Sequence, residues 1–257
     1  FGQQGRREAQ KLLERNAQDG DRLLGAFNRP MPHWLDFFCY TMFIDRDGKF
    51  QLGMLSTSAF KPVAASMGPM LKEESFHLGT GSNGLRRVIK AGIIPLDMLQ
   101  RYFNKWVSTA HDLFGVDASS SAHWAYVWGI KGRWDERAKL EAGIEVDKEV
   151  LNEEARGHYH AEIAAEVEKL SGYLPEGSTP LYVPHENFNR GIGVTKRGRY
   201  LTSGEEFSGS DQEWDAYLAS VLPSDQDEED LKELFKLEWV AEKKLSERQI
   251  SSKIGGA

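Results

Sequence analysis

The chain has 257 residues, 40% of them hydrophobic and 28% charged, which is typical of a folded globular protein and excludes a disordered or collagen-like chain. The net charge of −7 gives no electrostatic reason to bind DNA or RNA, so we expect no nucleic-acid partner. No apolar stretch reaches the roughly 18–20 residues of a membrane-spanning helix, and the single cysteine cannot form an internal disulfide. The sequence therefore predicts a cytoplasmic protein without a membrane partner.

The N-terminal third predicts three helices of different character. Residues 6–17 place few apolar side chains among many charges, which indicates a surface helix. At 34–44 almost every residue is apolar or aromatic, so we expect a helix buried on all sides, with a bend at Gly48. A break at 56–58 separates it from another helical stretch at 60–78.

The next segment combines helical spacing with helix-breaking residues. Pro69 predicts a kink, and the glycine-rich run at 79–84 predicts an interruption before the helix resumes and ends ahead of Gly92. The Gly-x-Gly-x-x-Gly spacing in this run matches the dinucleotide-binding fingerprint. That fingerprint must follow a strand, so we interpret the run instead as a bend or a close approach between elements.

The rest of the chain predicts a helical region followed by a less regular one. A helix opens at Pro95, and residues 152–170 form a long amphipathic helix. Residues 172–209 have room for a hairpin or an extended arm, and the acidic run at 225–230 suits the start of a final helix. We predict a mostly α fold with a helical region at 1–171 and an irregular tail with terminal helices at 172–257.

Acidic residues in these apolar helices point to chemistry. Asp45 closes the apolar run of one helix, and Glu73 and Glu74 interrupt another. A buried carboxylate without a partner is costly, so it needs a cation or a proton. Glu74 and His77 are three positions apart and share one helix face, which is the Glu-x-x-His spacing of di-iron carboxylate bundles.

Asp45 completes this pattern from the preceding helix. If the break at 56–58 makes the two helices antiparallel, Asp45 and Glu74 reach the same level, and the helix pair carries half of a di-iron site. The alternative is an ordinary surface pair of Glu74 and His77, because that spacing is common on exposed helices.

The same residues carry a family resemblance. The chain resembles the bacterial multicomponent oxygenases that epoxidise aromatic coenzyme A thioesters, and within them the benzoyl-CoA 2,3-epoxidase oxygenase components more closely than the phenylacetyl-CoA epoxidase catalytic subunits. The matching residues are the run Pro32-His33-Trp34-Leu35-Asp36, Asp45, the run Lys72-Glu73-Glu74-Ser75-Phe76-His77, Gly79-Thr80-Gly81 and the run His185-Glu186-Asn187-Phe188-Asn189-Arg190.

The resemblance implies a ferritin-like bundle, of which this chain supplies helices three and four, and a centre of two iron ions. Asp45, Glu74 and His77 match one set of metal ligands and catalytic residues. O2 and benzoyl-CoA, or a similar aryl acyl-CoA, are the implied substrates. Electrons would come from a separate NADPH-dependent flavin and iron–sulfur reductase, with no flavin or nicotinamide bound by this chain.

The other ligand set of the family is a Glu on one helix and a Glu-x-x-His on the next, both upstream of Asp45. Before Ile44 the sequence has only Glu8 and Glu14 as glutamates, on a polar helix, and His33 has no glutamate three positions before it. We therefore expect either the C-terminal portion of a longer protein or a half-site completed by another chain. A non-catalytic ferritin-like scaffold remains the alternative.

Two groups of residues are candidates for substrate binding. Phe37, Phe38 and Thr41 precede Asp45 by one to two turns and could line an aromatic pocket, although ordinary core packing is the better explanation of each one taken alone. Lys196, Arg197 and Arg199 form a compact basic cluster. This cluster is either a solvated loop or a contact for the phosphates of coenzyme A or for an acidic patch on a reductase.

Overall fold

The computed structural model describes residues 2–15, 24–133, 135–145, 150–191 and 198–234. Within these ranges the chain is mostly helical, which confirms the predicted class and agrees with a ferritin-like helical bundle. The elements are α1 (Gly2–Leu13), a 3-10 turn (Gly25–Asn28), α2 (Trp34–Leu55), α3 (Lys61–Ala91), α4 (Leu96–Leu113), α5 (Ser120–Val127), α6 (Glu136–Glu141), α7 (Leu151–Ser171), β1 (Arg199–Tyr200), β2 (Glu206–Phe207), α8 (Asp211–Val221) and α9 (Asp225–Leu234).

Helix α2 lies at the centre of the packed helices and contacts α3, α4 and α7. Helix α4 is amphipathic and buries its apolar stripe, so that Phe103 meets Phe43 of α2 edge to face, with ring centroids 5.0 Å apart. From α7, the buried Tyr159 donates its hydroxyl hydrogen bond to the backbone oxygen of Phe43. Burial of these aromatic side chains supplies much of the stability of the bundle.

Charged side chains also hold α2 in position. The buried Asp36 carboxylate accepts hydrogen bonds of 2.7 Å from Lys105 Nζ and from Trp106 Nε1 of α4. On the other side, Arg46 and Lys49 both pair with Glu162 of α7. A buried carboxylate is tolerated only with such partners, so these pairs fix how α2 sits against both neighbours.

The structure corrects several expectations for α2 and α3. Helix α2 is not buried on all sides, because Phe37 is 45% exposed. Helix α3 is continuous through the glycine run at 79–84, so the predicted interruption is wrong. Both helices continue through Gly48 and Pro69, where a bend and a kink stay predictions. Helix α3 ends where predicted, at Gly92, whose φ of 63° is the left-handed conformation that glycine adopts readily.

The chain divides into two compact units at Leu222 and Pro223. The first includes the hairpin in which β1 pairs with β2, as predicted for the region 172–209. The second contains α9, which begins with the acidic run as expected. The boundary proposed at 171/172 stays a prediction. No helix of the described ranges has the length and apolar character needed to cross a bilayer.

Candidate metal centre

The predicted ligands lie on the interface between the antiparallel helices α2 and α3. Toward one end of it, Gly81 packs against the backbone of Thr41 and Met42, and Gly84 packs against the ring of Phe38. A Cβ atom on Gly81 would lie 2.5 Å from the Met42 nitrogen, so only glycine permits this approach. The glycine run is therefore a close approach between helices, as one of our two interpretations proposed.

One turn further along the same interface, the three predicted donors converge. His77 Nδ1 lies 3.5 Å from Asp45 Oδ2 and 3.5 Å from Glu74 Oε2. The spacing between Glu74 and His77 is fixed by the helix, whereas Asp45 is brought to them by the pairing of α2 with α3. The prediction that these three residues meet is confirmed.

The geometry leaves these donors incompletely paired. At 3.5 Å both contacts of His77 are at the outer limit of hydrogen bonding. Glu74 Oε2 is buried and has no hydrogen-bond partner within the described part of the chain. A buried carboxylate oxygen without a partner is unfavourable, and a cation between the three residues would relieve that cost.

Burial at this interface also shifts the pKa values of the ionisable groups around the three donors. Burial raises the pKa of Asp45 to about 6, and the neighbouring Glu74 adds to this increase. Burial also raises the pKa of Glu74, while His77 opposes the shift. The pKa of Tyr40 rises to about 12, first through burial and then through the fields of Asp45 and Glu74. Excess negative charge is therefore concentrated at one point of the interface.

These donors fit a metal ion. One oxygen from each carboxylate and one imidazole nitrogen lie within 4.8 Å of one another. Carboxylates and imidazole together are the ligand set of iron sites in helical bundles. Three protein ligands leave the coordination of such a centre incomplete.

The surroundings are more open than the sequence suggested. Glu73 is exposed, and the apolar residues Met70 and Phe76 of the same helical stretch are 43% and 77% exposed. Helix α3 buries Met67 and otherwise only residues of its C-terminal half. The expectation of fully buried ligands is thus wrong, because in the described ranges no other helix covers the outer face of α3 near Glu74.

The predicted pocket residues fall into different environments. Thr41 is buried one turn before Asp45, and its hydroxyl donates to the backbone oxygens of Phe37 and Phe38. The ring of Phe38 covers Gly84 on the α2–α3 interface, and Phe37 points to solvent. Thr41 and Phe38 therefore lie on the same interface as the ligands, and Phe37 lies at its edge.

The basic cluster is described only at Arg199. Its guanidinium pairs with Asp211 at 2.7 Å and lies over the ring of Trp214. Lys196 and Arg197 lie outside the described residues. Phosphate binding by these residues stays a prediction, and for Arg199 it would compete with an existing ion pair.

A second group of possible ligands is Asp135, Glu154 and His158. Here Arg133 pairs with both carboxylates, and Lys139 Nζ lies 2.8 Å from Asp135 and 2.9 Å from Glu154. A cation would have to displace two basic side chains. Charge balance thus explains this group as an ion-pair network, in contrast to the group at Asp45.

Sequence reasoning missed two residues at the candidate centre. Gly48 faces Glu74, whose carboxylate oxygen Oε1 would lie 3.5 Å from a Cβ atom at that position. Tyr40 lies within the electrostatic field of the two carboxylates. Gly48 follows Asp45 by three positions and therefore lies on the same face of α2, and this spacing could have predicted that Gly48 belongs to the site.

Comparison with known proteins shows the family of the chain. The family model described as phenylacetic acid catabolic protein matches residues 2–186. Benzoyl-CoA oxygenase component B of Aromatoleum evansii is 34% identical over an alignment of 270 positions, gaps included, which covers 88% of this chain and 57% of the relative. The chain thus spans little more than half the length of this curated relative. By the extent of the match, the chain belongs to the phenylacetic acid catabolic protein family.

Proposed function

We propose that the chain carries part of a di-iron centre in the oxygenase component of an aromatic acyl-CoA monooxygenase. The observation that carries this proposal is the convergence of Asp45, Glu74 and His77, with an unpartnered carboxylate oxygen between two helices. The similarity to a protein named benzoyl-CoA oxygenase component B supports the substrate class. The finer proposal is cytoplasmic epoxidation of the benzoyl-CoA ring, with electrons from a separate NADPH-dependent flavin and iron–sulfur reductase.

In this proposal Asp45, Glu74 and His77 hold iron from the α2–α3 side. When bound, two ferrous ions supply the electrons and open coordination positions needed to activate O2. Carboxylates suit this task because they bind either one ion or two. The residues of this chain contribute the charge, the position of the donors and an apolar surrounding on the α2 side.

The remaining ligands would come from further helices that cover the exposed face of α3. Met70 and Phe76 lie on this helix and are exposed beside the ligands. A Glu and a Glu-x-x-His on the covering helices would complete the set that the family resemblance implies. Burial of Phe76 would then also exclude water from the centre.

Phe37, Phe38 and Thr41 stay the proposed contacts of the substrate ring. Because α2 and α3 touch at Gly81 and Gly84, the ring would lie against the edge of their interface, where Phe37 is exposed. Because Asp45 is one turn from Thr41, a ring there would be close to bound iron. Arg199, together with Lys196 and Arg197, is the proposed contact for the phosphates of coenzyme A.

The test is iron content and ring oxidation by the purified protein with its reductase, NADPH, O2 and benzoyl-CoA. Glu74→Ala should lose both bound iron and product, whereas the exposed neighbour in Glu73→Ala should retain both. Equal iron content and turnover in the two variants would refute the assignment of Glu74. Absence of iron from wild-type protein assembled with the helices that supply the remaining ligands would refute the centre itself.

Two alternatives have some support. The family description favours phenylacetyl-CoA as a substrate, and comparing turnover of the two thioesters separates it from benzoyl-CoA. The incomplete donor set is also compatible with a non-catalytic scaffold subunit. That alternative predicts that Glu74→Ala changes neither iron binding nor the activity of the assembled complex.

A further inference from the structure

Three glycines lie on the α2–α3 interface, and they have different surroundings. Cβ atoms on Gly81 and Gly84 would come within 2.5 Å of Met42 and 2.3 Å of Phe38, so these two glycines are required for the close approach of the helices. A Cβ atom on Gly48 would meet only the carboxylate of Glu74, with its three atoms at 3.5, 3.6 and 3.8 Å.

Nothing in the metal-free packing requires glycine at position 48. The contacts a Cβ would make there are ordinary van der Waals distances, and Gly48 has no positive φ. Glycine inside a helix is less favourable than alanine because it loses more backbone freedom on folding. Gly48 therefore makes the middle of α2 less stable as a helix, and the packing of α2 against α3 does not explain why a glycine is there.

Metal binding supplies a reason. Neighbouring donor atoms around an octahedral ion with bonds of about 2.0–2.2 Å lie roughly 3 Å apart, whereas His77 lies 3.5 Å from each carboxylate and the three donor atoms lie within 4.8 Å of one another. Since Glu74 and His77 share α3 and Asp45 lies on α2, closing around such an ion draws the carboxylate of Glu74 toward α2. A side chain at position 48 would already be in contact with that carboxylate and would block the movement.

We propose that Gly48 is a positioning residue that leaves the space into which the Glu74 carboxylate moves when metal binds. This inference rests on the proposed metal centre, and it assigns Gly48 a role in affinity rather than in folding. It predicts an unusual combination for Gly48→Ala, in which the metal-free protein becomes more stable and metal binding becomes weaker.

The experiment compares Gly48→Ala with Gly157→Ala, a helical glycine of α7 with no atom within 4 Å of its Cβ position. Thermal unfolding of the metal-free proteins should show both variants about 2–4 °C more stable than wild type, as expected for glycine-to-alanine changes in helices of a protein of this size. Anaerobic titration with Fe(II), or with Co(II) followed by visible absorption, should show an about tenfold higher Kd for Gly48→Ala alone.

The possible outcomes separate this inference from the proposed function. The titrations use the full-length protein, with the helices that supply the remaining ligands. If that wild-type protein binds neither ion, the metal centre is wrong and the inference falls with it. If wild type and Gly48→Ala bind with the same Kd, the centre stands and the role of Gly48 is refuted. If Gly48→Ala instead lowers the melting temperature, Gly48 is a packing glycine like Gly81, which also overturns the inference.

Discussion

The close approach of α2 and α3 at Gly81 makes a quantitative prediction about stability. In Gly81→Ala the new Cβ would lie 2.5 Å from the Met42 nitrogen and 2.8 Å from the Thr41 carbonyl carbon. Both are backbone atoms and cannot rotate away. To reach an ordinary contact of about 3.4 Å, α2 and α3 must separate locally by roughly 0.9 Å.

The energetic consequence follows from overpacking. Forcing a methyl group into a packed interface typically costs about 1–3 kcal/mol, which outweighs the gain of about 0.5–1 kcal/mol from replacing a helical glycine. We expect Gly81→Ala to lower the free energy of unfolding by about 1–2 kcal/mol. Because Asp45 and His77 lie one turn away, the separation should also weaken metal binding.

The assay is urea unfolding followed by circular dichroism, with Gly79→Ala as the matched control. Gly79 lies two residues earlier on α3, and no atom lies within 4 Å of its Cβ position, so this control should be more stable than wild type by about 0.5–1 kcal/mol. If Gly81→Ala is as stable as Gly79→Ala, the interface is not set by this contact and the reasoning is refuted.

Two further predictions concern buried charge. Lys105→Met should destabilise the protein by about 3 kcal/mol, because it removes the lysine that pairs with the buried Asp36 carboxylate. Chemical denaturation measures this loss, and the double variant with Asp36→Asn should recover part of it. Burial holds the pKa values of His111 and His160 below the ordinary value, so at these two residues the unfolded chain takes up protons first and their contribution to the free energy of unfolding falls as pH drops below about 6.5. Asp45 and Asp47, whose pKa values burial raises, contribute with the opposite sign. In urea titrations between about pH 7.5 and 5.5, His111→Phe should reduce the contribution of the histidines and the exposed His123→Gln should not; equal slopes would contradict the assignment.

Much of the candidate centre could be predicted because the spacing of residues along one helix determines which of them share a face. The three-residue spacing of Glu74 and His77 places them on one face of any α-helix, and an apolar run ending in Asp45 indicated a carboxylate that needs a partner. The short break at 56–58 permitted an antiparallel return of the next helix, and the contact of His77 with Asp45 confirms that the two helices meet at this level. Helical periodicity thus predicted the fold class and the proximity of the three candidate donors.

Tertiary packing decided what local rules could not. By intrinsic propensity the glycines at 79–84 predict a break in the helix. Helix α3 nevertheless continues through them, because glycines at these positions let α3 pack closely against α2. The exposure of Phe76 could not be predicted either, because the presence of an apolar residue in the sequence does not show whether another helix is there to cover it. The space at Gly48 depends on which α3 residue faces it. The sequence by itself determined which residues are the candidate metal ligands. The pairing of α2 with α3 decided how closely they meet, because distances between helices are set by side chains far apart in the chain.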